Sequence, residues 1–237
     1  MAAKSRYNRQ SPSPHYAALL EMYAQMHRDG YVQAADGDEV KVEGQKTFAG
    51  EQLTKFLDPI KALVVETGAR SILDYGAGKG LQYSNAITVN LADGTSVAGV
   101  PAFWGVDAVE TYEPALGSGA PQGSYDGVVS TDVMEHCFAA DVPWIIEEMF
   151  SLARRFVFVN VACYPAMARL PNGENAHITI RSPEWWRGVF DAIGHQYPEI
   201  NWAIACIFKD ADGAVHRVDY QRAEFEDRLD SGTTFQR

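Results

Sequence analysis

The chain has 237 residues, 46% of them hydrophobic and 22% charged, as in an ordinary globular domain with a full core. Its formal net charge of −11 disfavours a nucleic-acid backbone as partner, and no apolar run approaches the length of a membrane span. Cys137, Cys163 and Cys206 are far apart and odd in number, so neither a disulfide framework nor a CxxC metal site is readable, and a reducing cytoplasm is the expected compartment.

Lys4, Arg6 and Arg9 are not followed by an apolar segment, so no secretory leader is expected, and the polar stretch to residue 13 reads as a mobile lead-in. Ser13 is placed to cap a helix with Pro14 at its first position. Tyr16, Leu19, Leu20, Tyr23 and Met26 share one face of that helix, which runs to about His27. Asp29-Gly30 and Asp36-Gly37-Asp38 read as a polar loop. A second amphipathic helix carries Leu53, Phe56, Leu57, Ile60, Leu63 and Val64; Pro59 kinks or restarts it and Gly68 ends it.

Beyond Gly68 the pattern changes. Short apolar runs at 71–73, 105–111, 127–130, 156–161, 202–208 and 215–220 are separated by helix signals. Asp141 is placed to cap one helix, with Trp144, Ile145, Met149 and Leu152 facing inward. Ser182-Pro183 opens another, carrying Trp186, Val189, Phe190 and Ile193 and stopped by Gly194. The alternation predicts a parallel α/β sheet with an antiparallel ending. Residues 1–68 then form a lead-in and helical extension, 69–223 the sheet domain, and 224–237 a loose polar tail.

The strongest local signal is the run from Ser71 through Asp74 and Tyr75 to Gly76-Ala77-Gly78-Lys79-Gly80, a strand entering a glycine-rich turn with a helix expected after it. Glycines let a ligand approach the backbone closely, and doubly wound sheets bind ligands at such strand ends. The spacing is not the G-x-G-x-x-G of dinucleotide sites. Asp74 would repel a pyrophosphate, whereas it can order the loop or meet a cationic ligand.

This loop resembles the first motif of class I S-adenosylmethionine (SAM) dependent methyltransferases, and two further segments resemble later motifs in the same order. These are Tyr112-Glu113-Pro114-Ala115 and the run from Asp126 to Asp132-Val133-Met134-Glu135-His136. The resemblance covers roughly residues 71–161. It implies a Rossmann-like, doubly wound, mostly parallel sheet of the methyltransferase type. It also implies SAM held along its methionine portion by the loop residues Asp74, Gly76, Ala77, Gly78 and Gly80, with Glu113 on the ribose hydroxyls and Asp132 near the sulfonium. The chain departs from the family between Glu113 and Asp126, where only twelve residues remain. The strand and adenine-contacting acid usually found there are lost or minimal. Asp107 competes with Glu113 for the ribose, and Glu113 is preferred because a strand starting at Gly105 ends near Tyr112.

Asn160, Cys163 and Tyr164 fall at or beyond the end of the 156–161 strand, where site residues are exposed. Asn175 and His177 lie in the following loop, and His177 reads equally as a general base or as a structural histidine. His136 reads as a brace for its loop. Of Trp185 and Trp186, one is assigned to the core and the other is a candidate pocket wall. Tyr16 and Tyr23 read as core, or as part of a lid over the SAM site. No H-E-x-x-H or Cys/His cluster occurs, so no metal is expected. The leading expectation is methyl transfer to a small molecule, with Asp132, His177, Tyr164 and Asn160 as the catalytic candidates. The second is cyclisation of SAM itself, as in azetidine-2-carboxylate synthases, with release of methylthioadenosine. A non-catalytic SAM binder is the third. Neither a nucleic acid nor a membrane is an expected partner.

Overall fold

The computed structural model describes residues 7–35, 38–84, 88–90 and 94–222. The expected 224–237 tail and the Asp36-Gly37 pair lie outside these residues. In chain order the elements are α1 (Pro14–Asp29), β1 (Tyr31–Ala35), β2 (Asp38–Val42), α2 (Leu57–Thr67), β3 (Ser71–Tyr75), β4 (Thr88–Asn90), β5 (Ser96–Ala98) and α3 (Val100–Trp104). They continue with β6 (Ala108–Tyr112), β7 (Tyr125–Thr131), α4 (Val142–Leu152), β8 (Ala153–Ala162), α5 (Pro183–Gly194), β9 (Asn201–Lys209) and β10 (Val215–Gln221).

Six strands form the central sheet in the order β10-β9-β8-β7-β3-β6. All neighbours are parallel except β9 and β10, so the antiparallel ending consists of β10 alone. Adjacent residues on the inner strands face opposite layers. Leu73, Val128, Val157 and Val159 pack with α4 and α5, while Ile72, Val129, Phe156 and Phe158 pack with α2 and α3. Burial on both faces explains why these strands read as continuous apolar runs rather than as alternations. Gly127 is required by this packing, because a Cβ there would stand 2.3 Å from the Phe156 ring.

Several expectations are corrected. Residues 7–13 are docked on the core rather than trailing from it. The Arg9 guanidinium pairs with Glu148 and donates to the hydroxyls of Tyr112 (2.8 Å) and Tyr75 (3.1 Å). Ser13 and Asp141 precede α1 and α4, yet neither side chain caps its own helix. The Asp141 carboxylate instead accepts from the Ser13 amide, the Ser13 hydroxyl and the Trp144 indole, tying the two helix starts together. The polar loop after α1 is an antiparallel hairpin, β1–β2. In place of a helix after Gly80 stands a short 3-10 turn, 81–83, followed by the β4–β5 hairpin. The turn dipeptide Asp93-Gly94 lies between its two strands in the sequence. α2 packs on the sheet through Ile60 and Val64.

Ser182 does cap α5, accepting from the Trp185 amide, and Gly68 ends α2 with a positive φ. β6 is the sheet edge, and residues 114–124 contain a single 3-10 turn and no strand, in line with the short interval in the sequence.

Candidate functional site

The first strand of the sheet, β3, has β6 on one side and β7 on the other, so consecutive connections leave it in opposite directions. At such a switch point the strand ends diverge and open a crevice. Here the crevice is a cavity of about 380 Å³ lined by the ends of β3, β6 and β7 and roofed by α1 and residues 46–52.

The glycine loop forms its floor. The amides of Gly76 and Ala77 both donate to the Tyr112 carbonyl at the end of β6. The Gly78 amide donates to Glu113 Oε2 at 3.1 Å, and the Gly80 amide folds back to Ala77. Loop amides thus engaged leave no open row to cradle a phosphate. Lys79 also points elsewhere: its ammonium donates to the carbonyls of Gly44 and Thr47 and to the Thr47 hydroxyl, pinning the roof segment. At Gly78 (φ +59) a Cβ would stand 2.4 Å from the Phe48 carbonyl, so glycine permits this closure of roof on floor. Gly76, Ala77 and Gly78 line the cavity; Gly80 is outside its lining.

Three carboxylates at three adjacent strand ends face this space: Asp74, Glu113 and Asp132. Asp74 is buried and accepts from Tyr83 Oη (2.8 Å) and Gln82 Nε2 (3.1 Å). Burial pushes its carboxyl up to about 7, against the downward pull of those two bonds. Glu113 accepts the amides of Gly78 and Ala115, and burial raises it above the usual carboxylate range. Asp132 has a φ of +62, a left-handed conformation uncommon for a residue other than glycine. Its amide donates to the Asn160 carbonyl, and its carboxylate has no hydrogen-bond partner among the described residues. Asp107 lies at the opposite end of β6, exposed and paired with Arg70, which removes it as an alternative to Glu113.

The roof is aromatic. Tyr16, Tyr23, Tyr31, Phe48 and Tyr164 line the cavity, and Tyr23 stacks edge-on against Phe48. α1 therefore occupies the lid position. Tyr23 Oη lies 2.6 Å from His136 Nδ1 and 3.3 Å from the Ala176 carbonyl, fastening the helix across the crevice.

His136 and His177 meet here although 41 residues apart in sequence (177 − 136), with ring centroids 4.7 Å apart. His177 Nδ1 lies 2.6 Å from the Tyr164 carbonyl, and its amide donates to Asn175 Oδ1. Burial lowers both imidazoles, His136 to about 4, which favours their neutral forms. Asn175 orders the loop through the amide and carbonyl of Ala166. With Asp132, the two histidines place one ligating atom each within 4.8 Å of one another. This cluster revises the expectation that no metal-capable group exists, which rested on local spacing alone.

Asn160 is corrected in position. It is buried in β8, its amide donating across the sheet to the Ala205 carbonyl, and it does not line the cavity. Trp186 is core, while Trp185 lies against Arg181 outside the cavity lining. Local sequence signals missed Tyr31, Phe48, Gln82 and Cys137, which the fold brings to the cavity. No protein-family model matches the chain, and no curated protein matches it.

Proposed function

We propose that this chain is a SAM-dependent enzyme with a Rossmann-like sheet of the class I methyltransferase type, transferring the SAM methyl group to a small acceptor in the cytoplasm. The observation that carries the reading is the trio Asp74, Glu113 and Asp132 at the ends of β3, β6 and β7, beneath an aromatic roof and around a loop whose amides are already engaged. A pyrophosphate finds carboxylates here instead of donors. A sulfonium that also carries an ammonium group and two ribose hydroxyls finds the partners it needs. Glu113 keeps lone pairs for the ribose, Asp132 balances the positive end, and tyrosine faces favour a sulfonium as they favour other cations. A bound cation would also reverse the upward shifts of Asp74 and Glu113.

In the reaction, the acceptor lone pair forms the bond to the methyl carbon. The carbon–sulfur bond breaks, and its electron pair returns to sulfur as neutral S-adenosylhomocysteine. A hydroxyl acceptor must also lose its proton, and neutral His177 and Asp132 are the bases at that end, with Tyr164 beside them. The aromatic roof covers part of the cavity and limits water around the displacement.

The cavity volume favours a second reading. About 380 Å³ is at the low end for a site holding one small ligand. Intramolecular cyclisation, in which the SAM amino group attacks its own γ-carbon and expels methylthioadenosine, needs no second pocket. The histidine cluster, which such a reaction leaves without a task, keeps methyl transfer first.

Calorimetric titration with SAM and, separately, with NAD+ tests the site. SAM binding without NAD+ binding is expected; the reverse overturns the proposal. Incubation with SAM alone then separates the two chemistries. Methylthioadenosine release establishes cyclisation, and intact bound SAM directs the search to acceptors through S-adenosylhomocysteine formation.

A further inference from the structure

We propose that Asp132, His136 and His177 bind one divalent first-row transition-metal ion, and that its open positions take an oxygen of the acceptor. Two imidazoles and one carboxylate on one side of a cavity form the ligand set of three-point metal sites that leave positions free. The supporting shell is present. Nδ1 of His177 meets the Tyr164 carbonyl at 2.6 Å, and Nδ1 of His136 meets both Tyr23 Oη at 2.6 Å and the Ala176 carbonyl at 3.0 Å. The Tyr23 hydroxyl has the Ala176 carbonyl as its own acceptor, so Nδ1–H of each ring is the donor and Nε2 is the nitrogen left for a metal. Among the described residues, Nε2 of neither histidine has a hydrogen-bond partner, nor does the Asp132 carboxylate. The left-handed backbone at Asp132 holds that carboxylate at the end of β7, beside the rings. Metal–ligand bonds of about 2.0–2.2 Å ask the three atoms to draw together from their present spacing, a movement open to an acid that nothing else holds.

The inference rests on the SAM reading for its chemistry and narrows the acceptor to an alcohol, phenol or hydroxy acid. It replaces the general-base roles of His177 and Asp132 with ligand roles. A hydroxyl on the ion loses its proton to solvent water, because the positive charge stabilises the alkoxide. The oxygen lone pair then forms the O–CH3 bond as the CH3–S bond breaks toward sulfur. An amine acceptor needs no such ion.

The test uses the full chain stripped with a chelator, titrated with Mn2+, Co2+ and Zn2+ alone and followed by calorimetry and the visible spectrum of the Co2+ form. One equivalent is expected to bind. Asp132→Ala and His177→Ala should each lose about 100-fold or more in affinity, since loss of a mere supporting partner costs about 10–100-fold. Circular dichroism and unfolding curves of the variants establish that they are folded. If His177→Ala fails to fold, Asp132→Ala together with histidine-proton broadening by Mn2+ in the wild type carries the test. No stoichiometric binding, or binding unchanged in folded variants, overturns the proposal. SAM affinity measured on the metal-free protein keeps the two readings apart: loss of SAM binding overturns the cofactor assignment, whereas metal titration alone decides the triad.

Discussion

Tyr23 in the middle of α1 and His136 in the turn beyond β7 share a hydrogen bond of 2.6 Å across a cavity that neither could enclose alone. The bond makes the N-terminal helix part of the site, with the neighbouring contacts of Tyr16 on Trp144 and Tyr23 on Phe48 holding the same face.

Tyr23→Phe should keep the packing and lose the bond to His136. A single net hydrogen bond is worth about 1 kcal/mol, so stability should fall by that order. The clearer effect is kinetic: SAM, held as proposed, should leave faster once α1 is unfastened from His136. Stopped-flow fluorescence measures this, and an unchanged dissociation rate would show that α1 does not gate the cavity.

Glu113→Ala removes the acceptor of two loop amides and the proposed ribose contact, so SAM binding should weaken by about 1–3 kcal/mol. Asp107→Ala should leave it unchanged, because Asp107 pairs with Arg70 at the far end of β6. Calorimetry on both variants settles the choice of acid.

Gly78→Ala should destabilise by about 1–3 kcal/mol through its left-handed backbone and its approach to the Phe48 carbonyl. The relief available is displacement of the roof segment around Phe48, so limited proteolysis should cut there sooner than in the wild type. Equal cleavage rates would show that the loop and the roof are not coupled.

Asp74 makes stability depend on pH with a definite sign. Its folded carboxyl titrates at about 7, above the usual value of 3.8, because burial penalises the charge. The folded state therefore holds a proton that the unfolded state has released. The contribution of Asp74 is fully present below about pH 4 and is lost as pH rises toward 7 and beyond, by at most about 4 kcal/mol. Asp74→Asn should flatten this part of the profile while preserving an oxygen for Tyr83. Denaturation midpoints at pH 5 and pH 8 test it, and a parallel loss in wild type and variant would refute the assignment.

Much of the sheet was legible because its signals are local. The runs at 71–73, 127–130 and 156–161 locate β3, β7 and β8, since burial on both faces makes them mostly apolar instead of alternating. Gly68 and Ser182 marked helix ends by backbone chemistry that needs no distant partner. Asp141 and Ser13 show where that logic stops. Both have the chemistry of a cap, yet each is bonded to the other.

The sequence by itself therefore determined the α/β alternation, the glycine turn at the end of β3 and the acid at the end of β6. Hydrophobic periodicity and turn chemistry act over a few residues, so they can be read along the chain. Only the tertiary structure decided which polar groups meet. It tied Arg9 to Tyr75, Tyr112 and Glu148, withdrew Asn160 into the sheet, and gathered Tyr23, Asp132, His136 and His177 at one end of the cavity. Those encounters depend on where the long connection after β8 returns and on how α1 docks, and no spacing in the sequence encodes either.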